Sequence, residues 1–173
     1  MPSRRELLDA LVDDVTRSAL GSAGLGPEDR VLARQRVQEA IQRAATRAQG
    51  DVIALAHGDG HGPEADRFAA HMDTRHQERG GPDPALRETA AGKLAADLVA
   101  SDDRTNGFHT LLRDRAEDYI AHSVTVAALE EAQKSSNGPS QAPAAAAGPA
   151  VVVAVAKAGV SNHAERRRPP SIG

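Results

Sequence analysis

The stretch FHTLLRDRAEDYIAHSVTVAALEE, Phe108 to Glu131, decides how this chain folds. It runs for about six helical turns without Pro or Gly, and it holds the single Tyr and one of the two Phe. At helical spacing Phe108, Leu112, Ala116, Tyr119, Ile120, Ser123, Val126 and Ala127 fall on one stripe. Thr110, Asp114, Glu117, Asp118 and Thr125 fall on the other side. A helix this long is stable only where its apolar side is covered. The stretch is therefore expected to be the central helix of a small all-α domain, with Leu112, Tyr119 and Ile120 as its interaction face.

Working outward from this helix, the same reasoning finds four more. Ser3-Arg4-Arg5-Glu6 is a capping box, in which a hydroxyl and a carboxylate satisfy free amides at a helix start. Leu7, Leu8, Leu11, Val12, Val15 and Ala19 then share one face, and Gly21 and Gly24 end the helix. A second helix opens at Gly26-Pro27-Glu28-Asp29, with Pro near the first helical position and acids in the first turn. Its inner stripe is Ala33, Val37, Ala40, Ile41, Ala44 and Ala48, its outer face carries Arg36, Glu39, Arg43 and Arg47, and Gly50 is expected to end it. These two helices read as a hairpin. Val52-Ile53-Ala54-Leu55 fits either a short buried strand or another helical turn. Residues 64–77 read as a third helix, with Ala65, Phe68, Ala69, Met72 and His76 on one side. Asp83-Pro84 opens a fourth, whose apolar row is Leu86, Ala90, Leu94 and Leu98. The expected domain is a bundle of four to five helices over residues 1–133.

Residues 134–173 differ in composition. Ser135 to Pro143 and Ala144 to Pro149 are rich in Ala, Pro, Ser and Gly, and bury too little surface to offset ordering entropy. A disordered tail is expected there. Val151-Val152-Val153-Ala154-Val155 is a β-prone exception, and Arg166-Arg167-Arg168 a short basic run.

Composition narrows the function classes. There are no Cys among 173 residues, so thiolate chemistry, disulfides and Cys-ligated zinc are excluded. A net charge of -3 and the near absence of aromatic residues argue against nucleic acid, and a helix-turn-helix reading lacks a concentrated basic recognition helix. No run approaches the roughly 20 apolar residues of a membrane helix. The N-terminus meets Glu6 and Asp9 before any apolar run, so a signal peptide is not expected and the cytoplasm is the default compartment. Large aliphatic and Phe residues are scarce: 13 Leu, 13 Val, 4 Ile and 2 Phe. So thin a core favours cover by a protein partner or a second copy.

One motif carries possible chemistry. In His57-Gly58-Asp59-Gly60-His61, alternate side chains of an extended segment point the same way. Two imidazoles and the Asp59 carboxylate would then converge on a cation such as zinc, with Glu64, Asp66 or His71 as further ligand or base. The competing reading is a solvated Gly-rich loop. Gly21-Ser22-Ala23-Gly24-Leu25-Gly26 has no Lys and no preceding strand, which rules out a phosphate loop. His109 and Ser123 lie more than three turns apart, too far for a nucleophile and its base. The expectation is thus a non-catalytic helical interaction or self-assembly module without a cofactor. The alternatives are a metal-binding protein or metal-dependent hydrolase centred on His57, Asp59 and His61, and a DNA-binding regulator.

Overall fold

The computed structural model describes residues 1–57, 62–79 and 84–137, without the side chains of His57 and of residues 75–79. The described residues are all-α, with six helices: α1 (Arg4–Leu20), α2 (Pro27–His57), α3 (Pro63–Arg79), α4 (Pro84–Glu88), α5 (Ala90–Ser101) and α6 (Thr110–Ser136). The expected tail begins too early, because residues 134–136 are the last of α6; from residue 138 on, the tail and its Val151–Val155 run lie outside the described residues.

Local chemistry sets the first turns. The Ser3 hydroxyl accepts from the Glu6 amide at 3.3 Å, while the Glu6 carboxylate accepts from the Ser3 amide at 2.6 Å, completing the capping box. Hydrogen bonds from the Ser3 amide and, at 2.9 Å, from the Ser3 hydroxyl hold the Glu6 carboxyl below its ordinary pKa. Gly21 follows the last turn of α1, and Gly24 takes a left-handed φ of 61° that redirects the chain into α2.

Two boundaries differ from the sequence expectation. Helix α2 does not stop at Gly50 but continues for 31 residues to His57, so the ambiguous 52–55 segment is helical. An interior Gly costs a helix about 1 kcal/mol. Complete burial of Val52 and near-complete burial of Asp51, just beyond Gly50, offset that cost. The expected fourth helix is split. Thr89 leaves the helical conformation, donates to the Leu86 carbonyl, and accepts from the Gly92 amide at 3.1 Å to cap α5. Gly92 lies against the backbone of Leu86 and Arg87, where a Cβ would collide, so the corner between α4 and α5 needs glycine there. Leu94 and Leu98 still face the core, with Leu86 and Ala90 packed against it.

Helix α6 is the centre of the bundle, in contact with each of the other five helices. Residues 1–136 form one compact unit around it. Ala116, Tyr119 and Ile120 are buried, as the stripe predicts, and Leu112 is partly buried against the same core. These residues are used inside the chain. The rest of the stripe is displaced: Val124, Ala128 and Ala132 are buried, whereas Val126 is exposed. Asp118, assigned by the wheel to the outer side, is also buried. A helix with neighbours on several sides has no single solvent face, so a one-sided wheel misassigns its flanks. No helix of the described residues is long and apolar enough to cross a membrane.

Candidate functional site

Three helices meet at a buried carboxylate. Asp51 of α2 is 1% exposed, and its two oxygens are shared between α3 and α6. Arg67 of α3 donates to it through Nη2 at 2.6 Å and Nε at 3.2 Å, a bidentate pair. The Tyr119 hydroxyl of α6 donates to Oδ2 at 2.6 Å. Burial pushes the Tyr119 phenol up to about 12, and the bond to Asp51 adds to the effect because ionisation would break it. The Asp51 carboxylate in turn raises the Arg67 guanidinium further above its ordinary value. Phe68, next to Arg67, closes the apolar side of the network with its ring centroid 5.1 Å from that of Tyr119.

A second polar cluster adjoins the first. One turn beyond Arg67, His71 places its ring 5.0 Å from Tyr119 and 4.9 Å from His122. Its Nε2 lies 3.7 Å from the Asp118 carboxylate. Asp118 and His122 are one turn apart on α6, which sets both beside the same imidazole.

Both clusters form one end of an open groove of about 650 Å³ between α2 and α6. The α2 wall contributes Ala40, Arg43, Ala44, Arg47 and Ala48; the α6 wall contributes Ser123, Val126, Ala127, Glu130, Glu131 and Lys134. Small residues keep the groove open and let another chain come close to the helix backbones. Glu131 lies 3.8 Å from Lys134, one turn on. Arg43, Arg47 and Glu130 are exposed and form no ion pair among the described residues. The groove thus carries unpaired positive charge on one wall and unpaired negative charge on the other.

The Ser123 hydroxyl is turned back onto the Tyr119 carbonyl at 2.8 Å, an i−4 bond that removes it from any base. Among the described residues no group of three His, Asp or Glu side chains is placed to hold a metal ion. The metal candidates fall elsewhere: His57 ends α2 with its side chain outside the described residues, as are Asp59 and His61. Of the additional ligands considered with them, Glu64 and Asp66 are exposed in the first turn of α3, and His71 belongs to the groove. The side chain of His76 is likewise not described.

No family model matches this sequence, no curated protein matches it, and no solved structure matches its fold. The reading of the site rests on its own geometry.

The residues that sequence reasoning missed are Asp51, Arg67 and Asp118. A signal for Asp51 exists. Extending the inner row of α2 by one turn past Ala44 and Ala48 reaches Asp51 and Val52, a carboxylate on an otherwise apolar face. Gly50, read as a helix stop, hid it.

Proposed function

We propose that residues 1–136 are a non-catalytic helical binding module and that its docking surface is the groove between α2 and α6. The observation that carries this reading is the groove itself: a small-residue floor between two long helices, with exposed Val126 and with Arg43, Arg47 and Glu130 on its rims forming no ion pair among the described residues. A helix or an extended segment laid there would cover apolar surface and reach those charges, the general mode of helix-in-groove recognition. Scarcity of large apolar residues in the chain supports the same reading, because a thin core gains from external cover. The Asp51–Arg67–Tyr119 network holds the two walls and α3 in fixed relation, so the surface is largely formed before a partner arrives.

The absence of Cys permits a direct test. A photo-crosslinking group attached through Val126→Cys in the groove is expected to give a discrete adduct in cells expressing the full chain. The same group at Arg17→Cys, on the exposed side of α1, is expected to give none. Equal yields from the two positions, or no adduct from the groove, would contradict a docking role for this face.

A further inference from the structure

We infer that the groove takes a second copy of this chain, docked groove to groove about a two-fold axis running along the groove. This inference rests on the docking reading above and names the partner.

Arg43 and Arg47, one turn apart on the α2 wall, are both cationic and without an ion pair among the described residues. Glu130 on the α6 wall is anionic and also without one. These charges are opposite in sign and line one groove, yet no pair closes within 4.0 Å across it. A two-fold axis along the groove exchanges left and right. It sets the α2 wall of one copy against the α6 wall of the other, and does so twice. Arg43 and Arg47 of each copy then face Glu130 of its mate, with Glu131 beside it.

Other occupants satisfy only half of the site. An acidic segment would answer Arg43 and Arg47 but meet Glu130 and Glu131 as like charges. A basic segment would do the reverse. A second groove answers both walls at once. The Ala44 and Ala127 floor lets the copies approach closely, and docking covers Val126, which is 37% exposed. Rim ion pairs of this kind contribute little affinity but fix register and exclude wrong partners. The apolar floor supplies the attraction and the charges set the geometry.

The test uses the full chain and two charge-reversed variants, Arg43→Glu/Arg47→Glu and Glu130→Lys. All three positions are exposed on helices, and circular dichroism checks that the variants remain folded. Sedimentation equilibrium is expected to show a dimer for the wild-type chain. Each variant alone should associate about tenfold more weakly or worse, because like charges then face each other. An equimolar mixture of the two variants should recover dimerisation, since the reversed α2 wall of one meets the reversed α6 wall of the other. A wild-type chain that stays monomeric at all concentrations, variants that dimerise as the wild type does, or a mixture that stays monomeric would each overturn self-docking. If the Val126→Cys adduct forms only with a different protein, self-docking falls and the docking reading stands. If no adduct forms, both fall.

Discussion

Asp51→Ala destabilises the bundle by about 2–4 kcal/mol, a loss read as a lower urea midpoint with an unchanged slope. The expected size follows from what the carboxylate leaves behind. The Tyr119 hydroxyl is buried and loses the carboxylate it donates to, which costs about 1–3 kcal/mol. The Arg67 guanidinium loses a bidentate partner. Removing one member of a buried pair costs about 3–5 kcal/mol when the other cannot escape. Arg67 can turn to solvent in part, because its side chain is 36% exposed, so its loss adds less than that and the total stays at about 2–4 kcal/mol. The substitution also removes the one group that ties α2, α3 and α6 at a single point. A change within about 0.5 kcal/mol of wild type, the range of an ordinary surface substitution, would show that the three helices hold together without it.

Ile120→Asp abolishes the cooperative unfolding transition. Ile120 is 1% exposed on the helix that touches each of the other five. A carboxylate there is desolvated without compensation, a cost that exceeds what a single domain of this size has to spare. From sequence alone the same substitution has two outcomes, unfolding of the domain or separation of an oligomer. Burial inside one copy selects the first. Val126→Asp, on the exposed flank of the same helix, is the contrasting case: the bundle folds and only association is lost. Far-UV circular dichroism separates the two variants. A folded Ile120→Asp chain would place the interaction face back on the side of α6 that the structure buries.

Much of the fold was legible because its signals are local. The capping box at Ser3 and Glu6 and the stop at Gly21 and Gly24 depend on residues within one or two turns. The central role of α6 was legible from its length and apolar content. What failed to be legible depends on distant contacts. The continuation of α2 through Gly50 is decided by burial of Asp51 and Val52 against other helices, and the break at Thr89 by the close approach of Gly92 to Leu86. The site was hidden for the same reason. A helical wheel sends every Asp to water, whereas Asp51 is buried against Arg67 of α3 and Tyr119 of α6, and Asp118 is buried beside His71 of α3. Arg43 and Arg47 were visible as an outer face, but that they border a groove opposite Glu130 is a property of the packed helices. The His57, Asp59 and His61 motif is a local signal of the other kind, legible in sequence while two of its three residues lie outside the described structure.

Helices α2, α3 and α6 meet at a buried Asp51 around Tyr119, and the phenol can report on this directly. It is the only Tyr, and there is no Trp, so the tyrosinate absorbance band belongs to this hydroxyl alone. An unburied phenol titrates near 10, whereas Tyr119 is raised to about 12. The folded state thus holds the proton more tightly than the unfolded state. Tyr119 contributes stability that is fully present below about pH 10 and is lost as pH rises towards about 12, on the order of 2–3 kcal/mol in all. At about pH 11, with circular dichroism showing the helices intact, about one-tenth of the tyrosine is expected to be ionised in the native chain and about nine-tenths in urea. A native chain in which about nine-tenths of the tyrosine is already ionised at that pH would show that the three helices do not meet around a buried phenol, because such a hydroxyl is neither buried nor bound to Asp51.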